Sequence, residues 1–259
     1  YAPNNTGKNT PFLKSLDSLV NDHSSFKNID AKYFGATAVA AGNSQQLRRD
    51  TLLTQGVIVL FLILFLGFYF KRKRAPVVIL VPVLFGALFS LAIIYFIKGS
   101  ISIIALGTGS VILGIAVNYS LHVYNHYRHT GSIETVIKDL TQPLTVGSFT
   151  TIGGFFCLQF VESEMLKDLG LFAAFSLIGA SLSSLIFLPH FIESKKDRFL
   201  ADGERKLSWL DKIAAYRPDY NKYIIAGIFL LTFVFAYTAR NVSFESDLLN
   251  MNFMSPELK

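Results

Sequence analysis

The apolar residues of this chain fall into long uncharged runs, each flanked by short polar segments. Runs of about 20 residues match the length that a helix needs to cross the hydrocarbon core of a bilayer. The pattern predicts six membrane-spanning helices, at about 52–70, 76–97, 101–124, 143–161, 168–192 and 223–239. We therefore expect an all-α transmembrane helical bundle.

The polar segments divide the chain into five predicted regions. An alternating patch, YFGATAVAA, predicts a strand near 34–40, so the outer segments are expected to be remnants of α/β domains. The segment LSWLDKIAAY (207–216) predicts a helix along the membrane interface. Because the first residue is Tyr1 and the last residues form no structural ending, we expect sequence to be missing at both ends. The regions are the end of a first extracytoplasmic domain (1–50), a five-helix transmembrane bundle (51–192), a cytoplasmic basic linker (193–222), a sixth transmembrane helix (223–239) and the start of a second extracytoplasmic domain (240–259).

Composition and charge agree with a membrane protein and exclude a nucleic-acid-binding one. Hydrophobic residues make up 51% of the chain and charged residues only 16%, with a net charge of +6. The basic residues cluster beside apolar runs, at 71–74 and 195–222, and form no stripe on a soluble face. That distribution fits membrane topology and anionic lipid headgroups.

The basic residues also predict an orientation. With six spans, the loops at 71–75, 125–142 and 193–222 share one side and hold 14 Lys and Arg residues, whereas the opposite loops hold only Lys98 and Lys167. By the positive-inside rule the first set is cytoplasmic, and both ends of the chain are extracytoplasmic.

The third run contains the residues with the clearest functional signal, Asn118, Tyr119 and His122, in GIAVNYSLHVYNHYRH (114–129). Polar side chains at bilayer depth are costly and usually serve a pathway, a relay or a helix contact. Small residues at steps of three or four extend this polar stripe, and the fourth run has a matching surface, so we expect close helix packing or a pathway there. The small and polar positions are Gly107, Gly114, Ser148, Thr151 and Gly154. Ordinary packing with interhelical hydrogen bonds explains them equally well.

Other candidate chemistry is weak. His122, His126 and His129 are spaced like part of a histidine box of membrane desaturases, but the chain has five histidines and no second cluster. An interfacial polar cap is the better interpretation, and no metal is predicted. Glu162 and Glu164 are expected to be solvated acids. No phosphate-binding loop, dinucleotide turn or nucleophile elbow is present, so we predict no cofactor and no enzyme activity.

Three stretches resemble the RND superfamily and, within it, the MMPL-like exporters. They are FGATAVAAGNSQQLRRD before the first span, LGIAVNYSLHVYNHYRH in the third and FESDLLNMNFMSPELK after the sixth, and the resemblance covers most of residues 33–259. It implies that the six spans correspond to helices two to seven of a twelve-helix transporter. Helices two to six also resemble the sterol-sensing module of Patched-like proteins.

The resemblance implies a proton-driven secondary transporter that exports lipids or other hydrophobic molecules at the bacterial inner membrane. Its partners would be membrane lipids, the hydrophobic substrate and the remaining half of the same transporter. Further copies of the transporter in an oligomer, or a periplasmic protein, are also possible partners. The alternative is a non-pumping, sterol-sensing-like scaffold or receptor that binds lipid.

One departure from the family pattern affects the mechanism. Many relatives have Asp-Tyr, with the aspartate as proton carrier, where this chain has Asn118-Tyr119. An amide does not ionise near physiological pH, so Asn118 marks the relay region without carrying a proton. Three accounts stay open. In the first, which we prefer, the other half holds the titrating residue and Asn118 is its hydrogen-bond partner. In the second, His122 takes over as the proton carrier. In the third, this half is uncoupled.

Overall fold

The computed structural model describes residues 6–22, 35–192 and 222–243, and every regular element in these ranges is a helix. The chain divides into two compact units, the first containing α1 to α8 and the second containing α9. The helices are α1 (Thr6–Asp22), α2 (Ala36–Phe70), α3 (Ala75–Ile97), α4 (Ile103–Gly107), α5 (Gly109–Thr130), α6 (Ile133–Phe156), a 3₁₀ turn (Cys157–Phe160), α7 (Glu164–Ile186), α8 (Leu188–Ile192) and α9 (Lys222–Ala239).

Four helices in the described residues are long and apolar enough to cross a membrane. They are Thr37–Phe70 of α2, together with α3, α7 and α9. The helical, multi-pass membrane class is therefore confirmed at this level. The third and fourth predicted spans are helical too and lie mainly in α5 and α6, but polar residues of these two helices, such as Asn118, His122 and Lys138, lower the hydropathy of the helices. The count of six spans stays a prediction.

Two local predictions are wrong. The strand near 34–40 is absent, because residues 36–40 form the first turns of the 35-residue helix α2, which runs through the predicted domain boundary at 50–51. The polar segment 125–142 is mostly helical and not a loop. Helices α5 and α6 are separated by only two residues, Gly131 and Ser132. Gly131 has a left-handed φ of 65°, and the Ser132 hydroxyl accepts from the backbone N–H of Thr135.

The third predicted span, 101–124, is divided at Thr108 into the short helix α4 and the long helix α5. Ser102 caps α4, since its side chain accepts from the backbone N–H of Ala105. At the break, the Gln55 side-chain amide donates to the carbonyl oxygen of Leu106 over 2.7 Å. A polar group of α2 thus satisfies a backbone acceptor next to the point where the helix is interrupted.

Helix α7 lies at the centre of the first unit and contacts α3, α5 and α6. Most of its inward residues are small, which allows the neighbouring backbones to approach closely. They include Gly170, Ala173, Ala174, Ser176, Gly179, Ala180, Ser183 and Ser184, all buried. The core is therefore made largely by small side chains of one helix, with larger ones from its neighbours, such as Ile79 and Tyr124.

Several predictions fall outside the described residues. These are the interfacial helix at 207–216, the rest of the basic linker before Lys222, and the second outer segment beyond residue 243. The described part of residues 1–50 contains α1 and the beginning of α2 and no strand. The α/β domain remnants therefore stay a prediction.

Candidate functional site

Helix α5 positions the three predicted relay residues, and it does not place them together. Asn118 and His122 lie one turn apart and are both exposed on the outward face of the helix. Tyr119 is rotated by about 100° from Asn118 and is only 7% exposed, in the core with Val123 and Ala116. The candidate polar surface is therefore Asn118 with His122, and Tyr119 belongs to the packing behind it.

The small residues predicted to pack beside this stripe have mixed environments. Gly114 and Gly154 are exposed, and an added Cβ would meet nothing within 4 Å at either position. Gly107 is tighter, because a Cβ there would lie 3.1 Å from the Thr51 hydroxyl of α2. Close packing through Gly114 and Gly154 is thus absent in the described residues. The outward face of α5, defined here by Gly114, Asn118, His122 and Asn125, is open.

The two polar positions predicted on α6 satisfy their hydroxyls within their own helix. Ser148 is buried and donates to the carbonyl oxygen of Leu144 over 2.5 Å, and the half-buried Thr151 donates to that of Gly147 over 3.1 Å. Such hydrogen bonds to the preceding turn are common for Ser and Thr in membrane helices. Neither hydroxyl forms a hydrogen bond between helices.

Two hydrogen bonds that join helices in the core come from other serines. The hydroxyls of Ser120 on α5 and Ser184 on α7 are 2.9 Å apart in the core. Ser90 on α3 donates to the carbonyl oxygen of Phe172 on α7, also over 2.9 Å. Both contacts converge on α7, so this helix holds α3 and α5 by hydrogen bonds as well as by close packing.

Among the described glycines, the closest approach of two helices is at Gly86, between α3 and α7, a residue that the sequence pattern did not single out. A Cβ on Gly86 would lie 2.7 Å from the backbone nitrogen of Ala180 and still closer to the carbonyl oxygen of Ser176. A Cβ on Gly179 would lie 2.8 Å from the Cα of Gly86. The two glycines face each other, and the backbones touch there.

A charged cluster closes one end of the first unit. The Lys98 ammonium lies 2.6 Å from Asp168 and 2.7 Å from Glu164, and Glu164 also contacts Lys167 at 3.0 Å. Asp168 is buried, and its second oxygen accepts from the backbone N–H of Ser102 over 2.8 Å. The hydrogen bond to Asp168, followed by that to Glu164, raises the pKa of Lys98 above its ordinary value of 10.5.

This cluster gives Lys98 and Glu164 contacts that the sequence did not predict. Lys98, which the sequence placed in a short loop, links the end of α3 to the beginning of α7. Glu164 is largely exposed, as expected of a solvated acid, but it is paired. The sequence analysis missed Asp168, which stands at the start of an apolar run. It is 70 residues away from Lys98, so nothing in the sequence indicated that the two side chains meet.

The opposite end of the first unit carries the basic residues. The Arg128 guanidinium lies 5.1 Å from the centroid of the Phe70 ring, and Phe70 packs edge-on against Tyr124. These contacts place the KRKR segment, which follows Phe70, at the same end as the α5–α6 turn. Two of the three segments expected to share the basic side, 71–75 and 125–142, are therefore adjacent.

The histidines that follow His122 lie at this basic end. His126 Nε2 is 3.1 Å from Asp139 Oδ2, which connects α5 to α6. Within residues 6–22, 35–192 and 222–243, no three His, Cys, Asp or Glu side chains converge in a group able to hold a metal ion. The polar cap formed by His126 and Asp139 is thus a helix–helix contact.

Comparison with known proteins gives one distant relative and no family. A protein of Methanocaldococcus jannaschii, named only as a membrane protein, is 26% identical over 147 residues, which are 54% of this chain and 37% of that protein. The chain thus covers less than two-fifths of that relative's length. No protein-family model matches the chain, and no solved structure matches it significantly. The relative agrees with the membrane class that the four apolar helices indicate.

Proposed function

We propose that this chain forms half of the membrane domain of a proton-driven secondary transporter that exports lipids or other hydrophobic molecules. The observation that carries the proposal is the exposure of Asn118 and His122 on one face of α5, while the opposite face of the same helix is packed into the core. An amide and an imidazole are costly against lipid, so this face needs protein or water beside it.

The remaining half of the transporter would supply that cover. Its facing helix would contribute the titrating carboxyl, and Asn118 would hydrogen-bond to it. Helix α5 contains no Asp or Glu, so no carboxyl of its own helix could carry the proton. The resemblance of LGIAVNYSLHVYNHYRH to exporter sequences supports the same arrangement.

The test is transport by the protein in proteoliposomes containing a pH-sensitive dye and a fluorescently tagged phospholipid as probe. Wild-type protein should take up protons only when the probe is moved. Asn118→Asp should change the pH dependence of transport, because a carboxyl titrates and an amide does not. The matched control is Gln142→Glu, at an exposed position of α6 outside the α5 face, which should leave the profile unchanged.

Substitution of His122 distinguishes a proton carrier in the other half from one in this half. If the other half carries the proton, His122→Gln should slow export and preserve its dependence on the proton gradient. Complete loss of proton coupling in this variant would assign the carrier role to His122. Export by the wild-type protein without proton movement would contradict the proposed mechanism.

A second function, a non-pumping lipid-binding scaffold, is favoured by the replacement of the proton-carrying aspartate by Asn118. Such a module would bind the tagged phospholipid saturably and would move neither lipid nor protons. Saturable binding without flux, in the same proteoliposomes, would favour the scaffold over the transporter.

A further inference from the structure

A cleft of about 660 Å³ opens between α6 and the end of α7 at the basic end of the first unit. One wall is Ile133, Ile137 and Thr141, which recur every four residues on α6 and so form one stripe. The other wall continues from α7 into α8 and consists of Leu182, Leu185, Ile186, Pro189 and His190. The volume lies within the roughly 300–1,000 Å³ of pockets that hold small ligands.

The walls of the cleft are apolar and accessible. Ile137, Leu182 and Ile186 are each more than two-fifths exposed inside it. The Thr141 hydroxyl is already engaged, since it donates to the carbonyl oxygen of Ile137 over 2.5 Å. A ligand in this cleft therefore meets a hydrocarbon surface along most of its length, which suits an acyl chain.

The polar group of the cleft is at its end. His190 Nδ1 lies 2.8 Å from the carbonyl oxygen of Ile186, and because a carbonyl only accepts, Nδ1 carries the hydrogen. Nε2 is left for a ligand, as an acceptor in the neutral ring and as a donor in the protonated ring. An imidazolium Nε2–H at the mouth of an apolar cleft is a donor for a phosphate oxygen.

The charge at this end selects among lipids. Six cationic residues and two carboxylates are among the described residues at this end. The cationic residues are Lys71, Arg72, Lys73 and Arg74, all exposed, together with Arg128 and Lys138, and the carboxylates are Glu134 and Asp139. Lys138 is exposed and follows Ile137 on α6, so it lies about 100° around the helix from the cleft wall, from where its long side chain can reach the headgroup region. The excess of cations favours a negatively charged headgroup, and the positive-inside rule places this end in the cytoplasmic leaflet.

We propose that this cleft is a binding site for an anionic phospholipid, with one acyl chain between α6 and α7 and the phosphate beside His190 and Lys138. We name the site the α6–α7 lipid cleft. It is distinct from the Asn118–His122 face and does not depend on transport, since a lipid can bind here in a transporter or in a scaffold.

The test uses the purified protein in nanodiscs with phosphatidylglycerol that carries a photoactivatable group on one acyl chain. Labelled peptides should map to 133–141 and 182–190. Phosphatidylcholine with the same group keeps the phosphate but adds a positive charge, so it should label these peptides about fivefold less, the factor expected for one unit of charge near a membrane surface. Equal labelling by the two lipids would overturn the headgroup assignment.

Variants separate a defined site from ordinary boundary lipid. Leu182→Trp fills the cleft and should reduce labelling by phosphatidylglycerol at least fivefold, whereas Val146→Trp, at an exposed position of α6 outside the cleft, should not. Lys138→Gln leaves the walls intact and should remove the preference for phosphatidylglycerol while labelling persists. If Val146 and Phe149 on the other face of α6 are labelled as strongly as the cleft peptides, the site is overturned.

Discussion

The α3–α7 interface and the outward face of α5 are both built around small residues, and their environments are opposite. At Gly86 and Gly179 the backbones touch, with no room for a methyl group on either side. At Gly114, on the face that carries Asn118 and His122, an added Cβ would meet nothing within 4 Å. One glycine surface is therefore already used for packing inside this chain, while the other is open.

The comparison shows that glycine in a membrane helix has two distinct uses. Helices in lipid gain little from burying apolar surface, so a close backbone approach is one of the few ways to hold them together. The α3–α7 contact uses glycine in this way and adds a hydrogen bond from Ser90. A second hydrogen bond, between Ser184 of α7 and Ser120, connects α7 to α5. The α5 face combines glycine with exposed polar side chains, which suits a surface that another protein segment covers.

The largest expected difference between the two surfaces is in their tolerance of a larger side chain. Gly86→Val should destabilise the protein by about 3 kcal/mol or more, because the new atoms would collide with the backbone of Ser176 and Ala180. Gly114→Val should change stability by less than about 1 kcal/mol, since valine is no worse than glycine in a helix. Thermal unfolding in detergent measures both.

Gly86→Ala offers a milder form of the same test. Its added Cβ meets the same backbone atoms, so the loss should be smaller and in the same direction. Equal stability of the Gly86 and Gly114 variants would contradict the contrast between the packed and the open surface.

A second test concerns the charged cluster that fixes the α7 end of the packed interface. Asp168→Ala should cost about 2 kcal/mol, because the buried carboxylate accepts from both Lys98 and the backbone N–H of Ser102. Glu164→Ala should have little effect, since that side chain is largely exposed. Chemical denaturation in mixed micelles can compare them, and a larger loss for Glu164→Ala would contradict the assignment.

The same cluster makes the stability of the protein depend on pH in the alkaline range. The pKa of Lys98 is raised by the hydrogen bonds to Asp168 and Glu164, so its stabilisation is complete below its ordinary value of 10.5 and is lost as the pH rises through the raised value. Wild-type stability should fall in that alkaline range. In Asp168→Ala the fall should be smaller, because the main partner of Lys98 is gone.

The smallest expected effect is the coupling between Ser120 and Ser184. A double-mutant cycle with alanine should give about 0.6 kcal/mol, a typical value for an interhelical hydrogen bond in a membrane protein. Ser148→Ala is the control, because its hydroxyl bonds within α6 and should show no coupling to Ser184. Coupling of similar size for both serines would remove the distinction between the two kinds of contact.

The helical class and the bounds of the most apolar helices were predictable from the sequence for a physical reason. Long apolar runs can satisfy their backbone groups in a bilayer only as helices or closed barrels, so 76–97 and 223–239 were expected within a residue or two of their observed bounds. Element boundaries in polar sequence were less predictable. Residues 125–142 look like a loop by composition, yet they are helical on both sides of Gly131, because Gly131 ends α5 and the Ser132 hydroxyl caps the beginning of α6.

The sequence by itself determined that this protein crosses the membrane as helices and that Asn118 and His122 share one helical face, because both follow from apolar length and from the 3.6-residue turn. Only the tertiary structure decided which faces are covered. Lipid tails are as apolar as leucine, so hydropathy does not distinguish a lipid-facing side chain from a packed one. The meeting of Gly86 with Gly179, and of Lys98 with Asp168, therefore became visible only when the helices were placed together.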